Sequence, residues 1–509
     1  MKRWLVLAMT LVVALGVLAG CGSDTSKSGK HAGLGLFWFG ETLDPTHEWD
    51  AWTLTRIGAG ETLATVDKDM TFQPQLADSW ENVDPMTWKF HIRENVKFHN
   101  GVVMTPDMVK ASIERTIANS KRSKDAIKIE SITVDGQNLI FKTTEPNAHL
   151  LADLTEPAFV IVDVADTKDM ENAPILTGPY KIVKHTKQEE IQLEQHKEYW
   201  GGTPGLDTLT VKNIEDHSKR AMALQSGDVD MAISIGPGEY SIFQNDKKFT
   251  IYEVASLRDV FVRMGQKGKL RNPNLRAALI AAADRESYAK NLMKDTFVAG
   301  KAPLPPSIDY GFNQLRDPNK YNVERAKELL KQEGYEDTNG DGIVDKDGEN
   351  LVLDFYAYTT RPELPLYAEA LQADYKKIGV DLQIKIVDYA VIDTLSQSGD
   401  YDMIISSVVT ANTGQPVWFL KQYWGIGVET NGSGFSNPRF DELLALGESS
   451  SDPVVRRNAV INAQQLMLDN AVALFLGYPK INIVGNKRID GIKITPSEYY
   501  IITKDLKKK

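Results

Sequence analysis

Residues 76–115 read LADSWENVDPMTWKFHIRENVKFHNGVVMTPDMVKASIER, and the order of elements in this stretch decides the fold. Trp88-Lys89-Phe90-His91-Ile92-Arg93 alternates apolar and polar side chains, which puts Trp88, Phe90 and Ile92 on one face of a half-buried strand. A second strand, Val96 to His99, is followed by Asn100-Gly101, the dipeptide that best tolerates positive φ in a tight hairpin. Val102-Val103-Met104 is therefore expected to return antiparallel. A helix then starts: Thr105 caps the orphan amides, Pro106 suits the first helical position and Asp107 favours the positive end of the dipole. Met108, Ala111, Ile113 and Ile117 supply its apolar residues. Strand, hairpin and helix by themselves establish a globular α/β piece.

Working outward, the residues in their order say more. Leu76-Ala77-x-Ser79-Trp80-Glu81 is followed by Trp88-x-Phe90-x-Ile92-Arg93-x-x-Val96-Lys97-Phe98-His99-Asn100-Gly101 and then by the Thr105-Pro106 helix start. This unbroken run resembles the extracytoplasmic solute-binding proteins of peptide- and nickel-type ABC importers, family 5. Thr177-Gly178-Pro179-Tyr180, Tyr199-Trp200-Gly201-Gly202-x-Pro204 and Leu224-x-Ser226-Gly227-Asp228-Val229-Asp230 follow in the order the resemblance implies. Each also reads simply as a turn or helix stop. Arg56-Ile57-Gly58-Ala59-Gly60-Glu61-Thr62-Leu63 resembles the nickel branch more than the peptide branch.

The resemblance implies a two-lobed α/β periplasmic-binding-protein fold with hinge-crossing segments and an extra subdomain in the N-terminal lobe. It also implies a monomer that closes on a ligand and delivers it to a permease driven by an ATPase. The expected divisions are 1–20 (leader), 21–31 (tether), 32–267 (first lobe, with the subdomain at about 60–175), 268–485 (second lobe) and 486–509 (return to the first lobe and basic tail).

At the N-terminus, Lys2 and Arg3 precede an apolar run to Gly20, and Leu18-Ala19-Gly20-Cys21 resembles a lipobox. Cleavage before Cys21 and lipidation of its thiol would anchor the protein outside the cytoplasm, on the cell membrane. Cys21 is the only cysteine in 509 residues, so disulfides within the chain and thiolate metal clusters are excluded. Residues 22–30 are small and polar, as a flexible tether requires. Loss of Lys2 and Arg3 takes the formal charge from −11 to −13, an acidic balance that argues against nucleic acid.

Catalytic signatures are missing from the sequence: no Gly-x-Ser-x-Gly elbow, His-Glu-x-x-His helix, P-loop or dinucleotide fingerprint occurs. No resident cofactor and no enzyme activity are expected.

Four places stand out for binding. His47 follows the strand expected at Leu34–Phe39; an imidazole there can complete the coordination of a chelated divalent metal, and nickel-binding relatives place a histidine in a comparable loop. It reads equally as a surface histidine. Arg361, in Arg361-Pro362-Glu363-Leu364-Pro365, can grip a carboxylate with two hydrogen bonds, or else pair on the surface. Arg56 has a similar role beside Trp52, with an interdomain ion pair as its other reading. In the fourth place, residues 410–419, peptide-binding relatives carry an aspartate for the peptide amine; Asn412 stands at that point, followed by Thr413. Trp418, Tyr423 and Trp424 can stack on a ligand or fill the core. All eight histidines lie at or before His217 without paired ligand spacing, which favours a metal already wrapped in a small chelator over a bare ion; a short peptide is the alternative ligand. Asp337, Asn339, Asp341 and Asp345 match the first half of a calcium loop, but Gly348 occupies the twelfth position, so an Asx-rich turn is the better reading.

Overall fold

The computed structural model describes residues 30–120, 123–124, 127–359, 361, 363–411, 414–450 and 452–509. The leader, Cys21 and the tether up to residue 29, together with Asn412 and Thr413, lie outside the described residues.

Two lobes share one long strand, Ala473–Asn486. Its first half pairs antiparallel with Arg258–Met264, and its second half with Phe249–Ala255 and Met231–Ile233. On the first-lobe side the sheet continues through His31–Leu36, Thr208–Asn213, Glu190–Gln195 and Tyr180–Thr186; on the other side it continues through Met403–Val409, Val352–Ala357 and Asp381–Ile386. His31–Leu36 lies between two parallel neighbours and is buried on both faces from Ala32 onward. That double burial is why its sequence runs Ala, Gly and Leu without alternation.

The crossings fall at Ala255–Arg258 and Tyr478–Lys480, since Arg258–Met264 already pairs with second-lobe strands while residues 480–486 pair with first-lobe ones. The boundaries expected at 268 and 485 are therefore displaced. At the first crossing the strand breaks only over Ser256 and Leu257, and at the second Ala473–Asn486 runs straight through, so neither carries a long turn or a loop-like composition.

The stretch from Leu76 builds a separate layer. Ala77–Asp84, Thr87–Ile92, Asn138–Thr143 and Ile129–Asp135 form a four-stranded antiparallel sheet in that order. Trp88, Phe90 and Ile92 point into its core with Phe141, Val109 and Ile113 of the covering helix Pro106–Asn119. Burying a side chain as large as Phe90 completely contributes about 2–3 kcal/mol. Val96–Met104 makes a hairpin of one bridge, Lys97 to Val103, tied by Phe98 N to Val102 O at 2.9 Å with Gly101 at φ +87°. Thr105 caps the helix by accepting from Met108 N at 3.4 Å.

The lobes are shut. Val66 and Met70, from the short hairpin beside this layer, are buried among Leu304, Ile308 and Phe419 of the second lobe. Among the described residues no helix is long and apolar enough to cross a membrane.

Candidate functional site

The site is assembled around the helix Ala51–Arg56. Its Asp50 carboxylate ties the preceding loop together, accepting from Glu41 N at 3.1 Å, Thr42 N at 2.8 Å and His47 Nδ1 at 2.8 Å. At the other end of the helix Arg56 is 1% exposed. Its guanidinium carbon lies 5.0 Å from the Phe37 ring centroid, 5.2 Å from that of Trp52 and 5.9 Å from that of Trp38, so aromatic faces take the place of water. Arg56 Nε donates to Glu498 O at 3.1 Å, and Nη2 lies 3.5 Å from Glu498 Oε2. Nη1 is buried without an acceptor among the described residues. Glu498 sits at φ +61°, a strained conformation for a residue with a side chain. The returning C-terminal segment holds it there, with Ile502 N donating to Arg56 O at 3.0 Å.

Arg361 acts on this guanidinium, and Arg258 shares both Arg361 and Glu498 with it. Arg258, at the first crossing, donates through Nη1 to Ser407 O at 2.9 Å. Half-buried Arg361 stands after the strand Val352–Ala357. Burial pulls the Arg258 guanidinium down to about 10, Arg361 adds to the shift, and Glu498 and Glu363 oppose it. Burial also lowers Arg56, with Glu498 opposing and Arg361 adding. Both stay cationic at neutral pH. Tyr358 accepts from Ser407 N at 3.3 Å and meets Tyr389 edge to face at 5.1 Å. Guanidiniums from the first lobe, the crossing and the second lobe thus converge with Glu498 and Glu363. Such a cluster repels itself in a desolvated site and is relieved by an anion between the lobes.

The expected residues divide accordingly. Trp52, Arg56 and Arg361 are brought together; Trp52 donates to Glu156 Oε1 at 3.1 Å and packs against Tyr499 at 5.2 Å. His47 stands before the N-terminal end of the same helix, with its side chain 46% exposed. The hydrogen bond to Asp50 raises its imidazole above the ordinary value despite slight desolvation, with Glu41 and Glu48 adding. Asp50 holds Nδ1, so a neutral ring presents its Nε2 lone pair outward, the posture of a metal-ligating imidazole. Tyr423 lies beside Arg263, whose guanidinium carbon is 5.2 Å from its ring centroid. Trp418 is 62% exposed. Trp424 is instead core: it has no exposed surface and packs on Phe261, Phe419 and Phe475, because it falls on the inward face of Val417–Trp424.

The calcium candidate folds as a turn. Asp337 accepts from Gly340 N and Gly342 N, Asp341 accepts from Ile343 N, and Asp345 takes Thr338 N and Oγ1. Among the described residues no three His, Cys, Asp or Glu side chains are grouped to hold a metal ion.

Arg258, Tyr358, Glu363 and Glu498 were not singled out by sequence reasoning. Arg258 alone left a signal, as the charge that opens the strand Arg258–Met264, which is buried from Asp259 onward.

The description "Bacterial extracellular solute-binding proteins, family 5 Middle" belongs to a family model that matches residues 71–431. Nickel-binding protein NikA of Staphylococcus aureus is 27% identical over 495 residues, 97% of each chain. Oligopeptide-binding protein AppA of Bacillus subtilis is 24% identical over 522 residues, 96% of this chain and 95% of its own. The crystal structure of a nickel ABC transporter from Bacillus halodurans superimposes with a TM-score of 0.83 at 28% identity, covering 94% of this chain and 99% of that one. That of Staphylococcus aureus NikA in complex with Ni(L-His)2 gives 0.75 at 25% identity, covering 94% and 100%. A match over this much of the chain, on a two-lobed α/β fold, places the protein among the bacterial extracellular solute-binding proteins of family 5.

Proposed function

We propose that this solute-binding receptor of an ABC importer captures a chelated divalent metal, nickel foremost, between its lobes and hands it to the permease. Cys21, lipidated, holds it to the outer side of the cell membrane. The observation that carries this reading is the buried Arg56 Nη1, which lacks an acceptor among the described residues while Arg361 acts on it and Arg258 shares Arg361 and Glu498 with it. Guanidiniums do not ligate metals; they grip carboxylates in pairs of hydrogen bonds. A metal captured here arrives with the carboxylates of its chelator. The nickel-binding relatives, one of them crystallised with Ni(L-His)2, agree with that chemistry. Trp52 and Tyr358 wall the ligand, Arg56, Arg258 and Arg361 hold its carboxylates, and His47 offers an imidazole from the far end of the helix.

A short peptide is the second reading, favoured by Glu498 and Glu363 in the same site. Its carboxylate would meet the arginines and its amine one of these acids, and peptide-binding relatives exist.

Purification from rich medium, followed by elemental analysis and native mass spectrometry, separates the two. One divalent metal per protein with an organic partner supports the chelate; a ladder of peptides without metal overturns it. His47→Ala is expected to weaken chelate binding about tenfold, a loss near 1.4 kcal/mol. Calorimetric titration of both proteins checks this, and an unchanged affinity removes His47 from the site. The metal must displace the proton that Asp50 helps the imidazole keep, so the His47 contribution fades as pH falls.

A further inference from the structure

The lobes touch at a place distinct from both the arginine cluster and the crossing strands. His149 precedes the short helix Leu150–Asp153, whose Leu150 and Leu151 belong to the core of the first lobe's added layer. Its ring is set against the second lobe. Facing it are the backbone carbonyls of Gly447 and Glu448, at the C-terminal end of Pro438–Ser449, and Arg456 of Pro453–Asp469. Neither ring nitrogen reaches solvent, and neither has a hydrogen-bond partner of proper geometry among the described residues. A contact made from both lobes exists only while they are shut, so the ring must leave this setting each time the cleft opens.

The charged groups around it are these. From the second lobe come the Arg456 guanidinium, whose Nη1 also donates to Ser450 O at 2.8 Å, and the Glu448 carboxylate, engaged by Lys421 at 3.1 Å. On the His149 side stands Asp153, which Asn147 Nδ2 approaches at 3.3 Å and which burial pushes up to about 7. Burial holds the imidazole down to about 4 and Arg456 adds to this, while Glu448 and the two helix-end carbonyls oppose. The opposition is the attraction a helix C-terminus has for a cation, and desolvation outweighs it.

We propose that the docking of His149 onto the C-terminal end of helix Pro438–Ser449 is a pH-sensitive closure latch, in which the lobes shut on a neutral imidazole and acidification loosens the closed, ligand-holding state. In the open state the ring is wetted and regains the ordinary histidine value, near 6.5. Protons then bind the open form and not the closed one, so falling pH draws the equilibrium open through the window from about 6.5 to about 4. With partial exposure of the residue allowed for, the closing constant drops about tenfold between pH 7.5 and pH 5. The latch rests on closure between lobes and is independent of which ligand is captured.

The test uses the full chain, isolated from rich medium, with Cys21→Ser and a dye pair on Val83→Cys and Val454→Cys, one exposed position on each lobe. Energy transfer reads the closed fraction at pH 7.5 and pH 5. The wild-type latch is expected to lose about tenfold in closing constant, His149→Gln to hold its closed fraction at both pH values, and His149→Arg to stay open at both. His149→Asn replaces the glutamine variant if that protein does not melt cooperatively. An equal pH response in the wild type and the neutral variant, including none in either, overturns the latch. So does a His149→Arg protein as closed as the wild type at pH 7.5.

Discussion

Arg56→Gln lowers affinity for the co-purified ligand by about a hundredfold, a loss of roughly 3 kcal/mol. The size follows from desolvation. Arg56 lies against Phe37, Trp38 and Trp52 and is 1% exposed, so a ligand carboxylate meets its Nη1 without competition from water. Glutamine keeps a donor and most of the length but removes the charge, and Glu498 at φ +61° loses the partner that its strained backbone positions it to hold. Arg361 is half-buried and more screened, so Arg361→Gln costs about tenfold. The double variant loses less than the two singles together, because each removes the repulsion that the other feels. Titration calorimetry of the three proteins reads all of this. An Arg56→Gln affinity within about threefold of the wild type, in a protein that melts normally, would remove the arginine cluster from the ligand site.

These arginines show where sequence reading reaches and where it stops. Local rules suffice inside the stretch 76–115. Alternation put Trp88, Phe90 and Ile92 inward, Asn100-Gly101 turned the chain and Thr105 capped the helix, each within a few residues of its partner. The cleft depends on pairs far apart in the chain. Arg56 meets Glu498 across 442 positions, and Arg258 meets Ser407 across 149. No period or spacing encodes such a meeting. The second crossing is unmarked for a related reason: Ala473–Asn486 runs through it without a break, so that lobe boundary carries no punctuation. Trp424 could have been assigned to the core, since Leu420 four residues earlier shares its helix face and both are fully buried. Trp418 lies on the opposite side of that helix and is exposed.

Two buried groups in the first lobe bend the pH dependence of stability in opposite directions, and because their windows overlap they leave a broad maximum between about pH 4.5 and 6.5 with a fall on either side. On the acid side, His99 Nε2 and His196 Nδ1 both donate to Gly178 O, at 3.0 Å and 3.1 Å, with their rings edge to face at 5.0 Å. Burial pulls His99 down to about 3, the Gly178 bond opposing and His196 adding, and burial lowers His196 as well. A histidine depressed in the folded state favours folding above its unfolded value and loses that contribution as pH falls, because the unfolded chain takes a proton that the native one refuses. For His99 the window runs from about 6.5 down to about 3, with a loss of about 2 kcal/mol already at pH 5. On the alkaline side Glu61 is 2% exposed and burial raises it to about 7, although Tyr199 Oη at 2.6 Å and Trp200 Nε1 at 3.0 Å oppose by donating to it. A carboxyl raised in the folded state contributes fully below its unfolded value, near 4.5, and that contribution is lost as pH rises through 7, about 3 kcal/mol in all. Urea midpoints at pH 4, 6 and 8 read both limbs. His99→Gln should make the fall from pH 6 to pH 4 shallower and Glu61→Gln the fall from pH 6 to pH 8, with His149 and His196 keeping part of the acid limb and Asp153 part of the alkaline one. A His99→Gln profile parallel to the wild type from pH 6 to pH 4 would show that the acid limb belongs to other groups, and that the Gly178 carbonyl holds the two imidazoles at no cost in proton affinity.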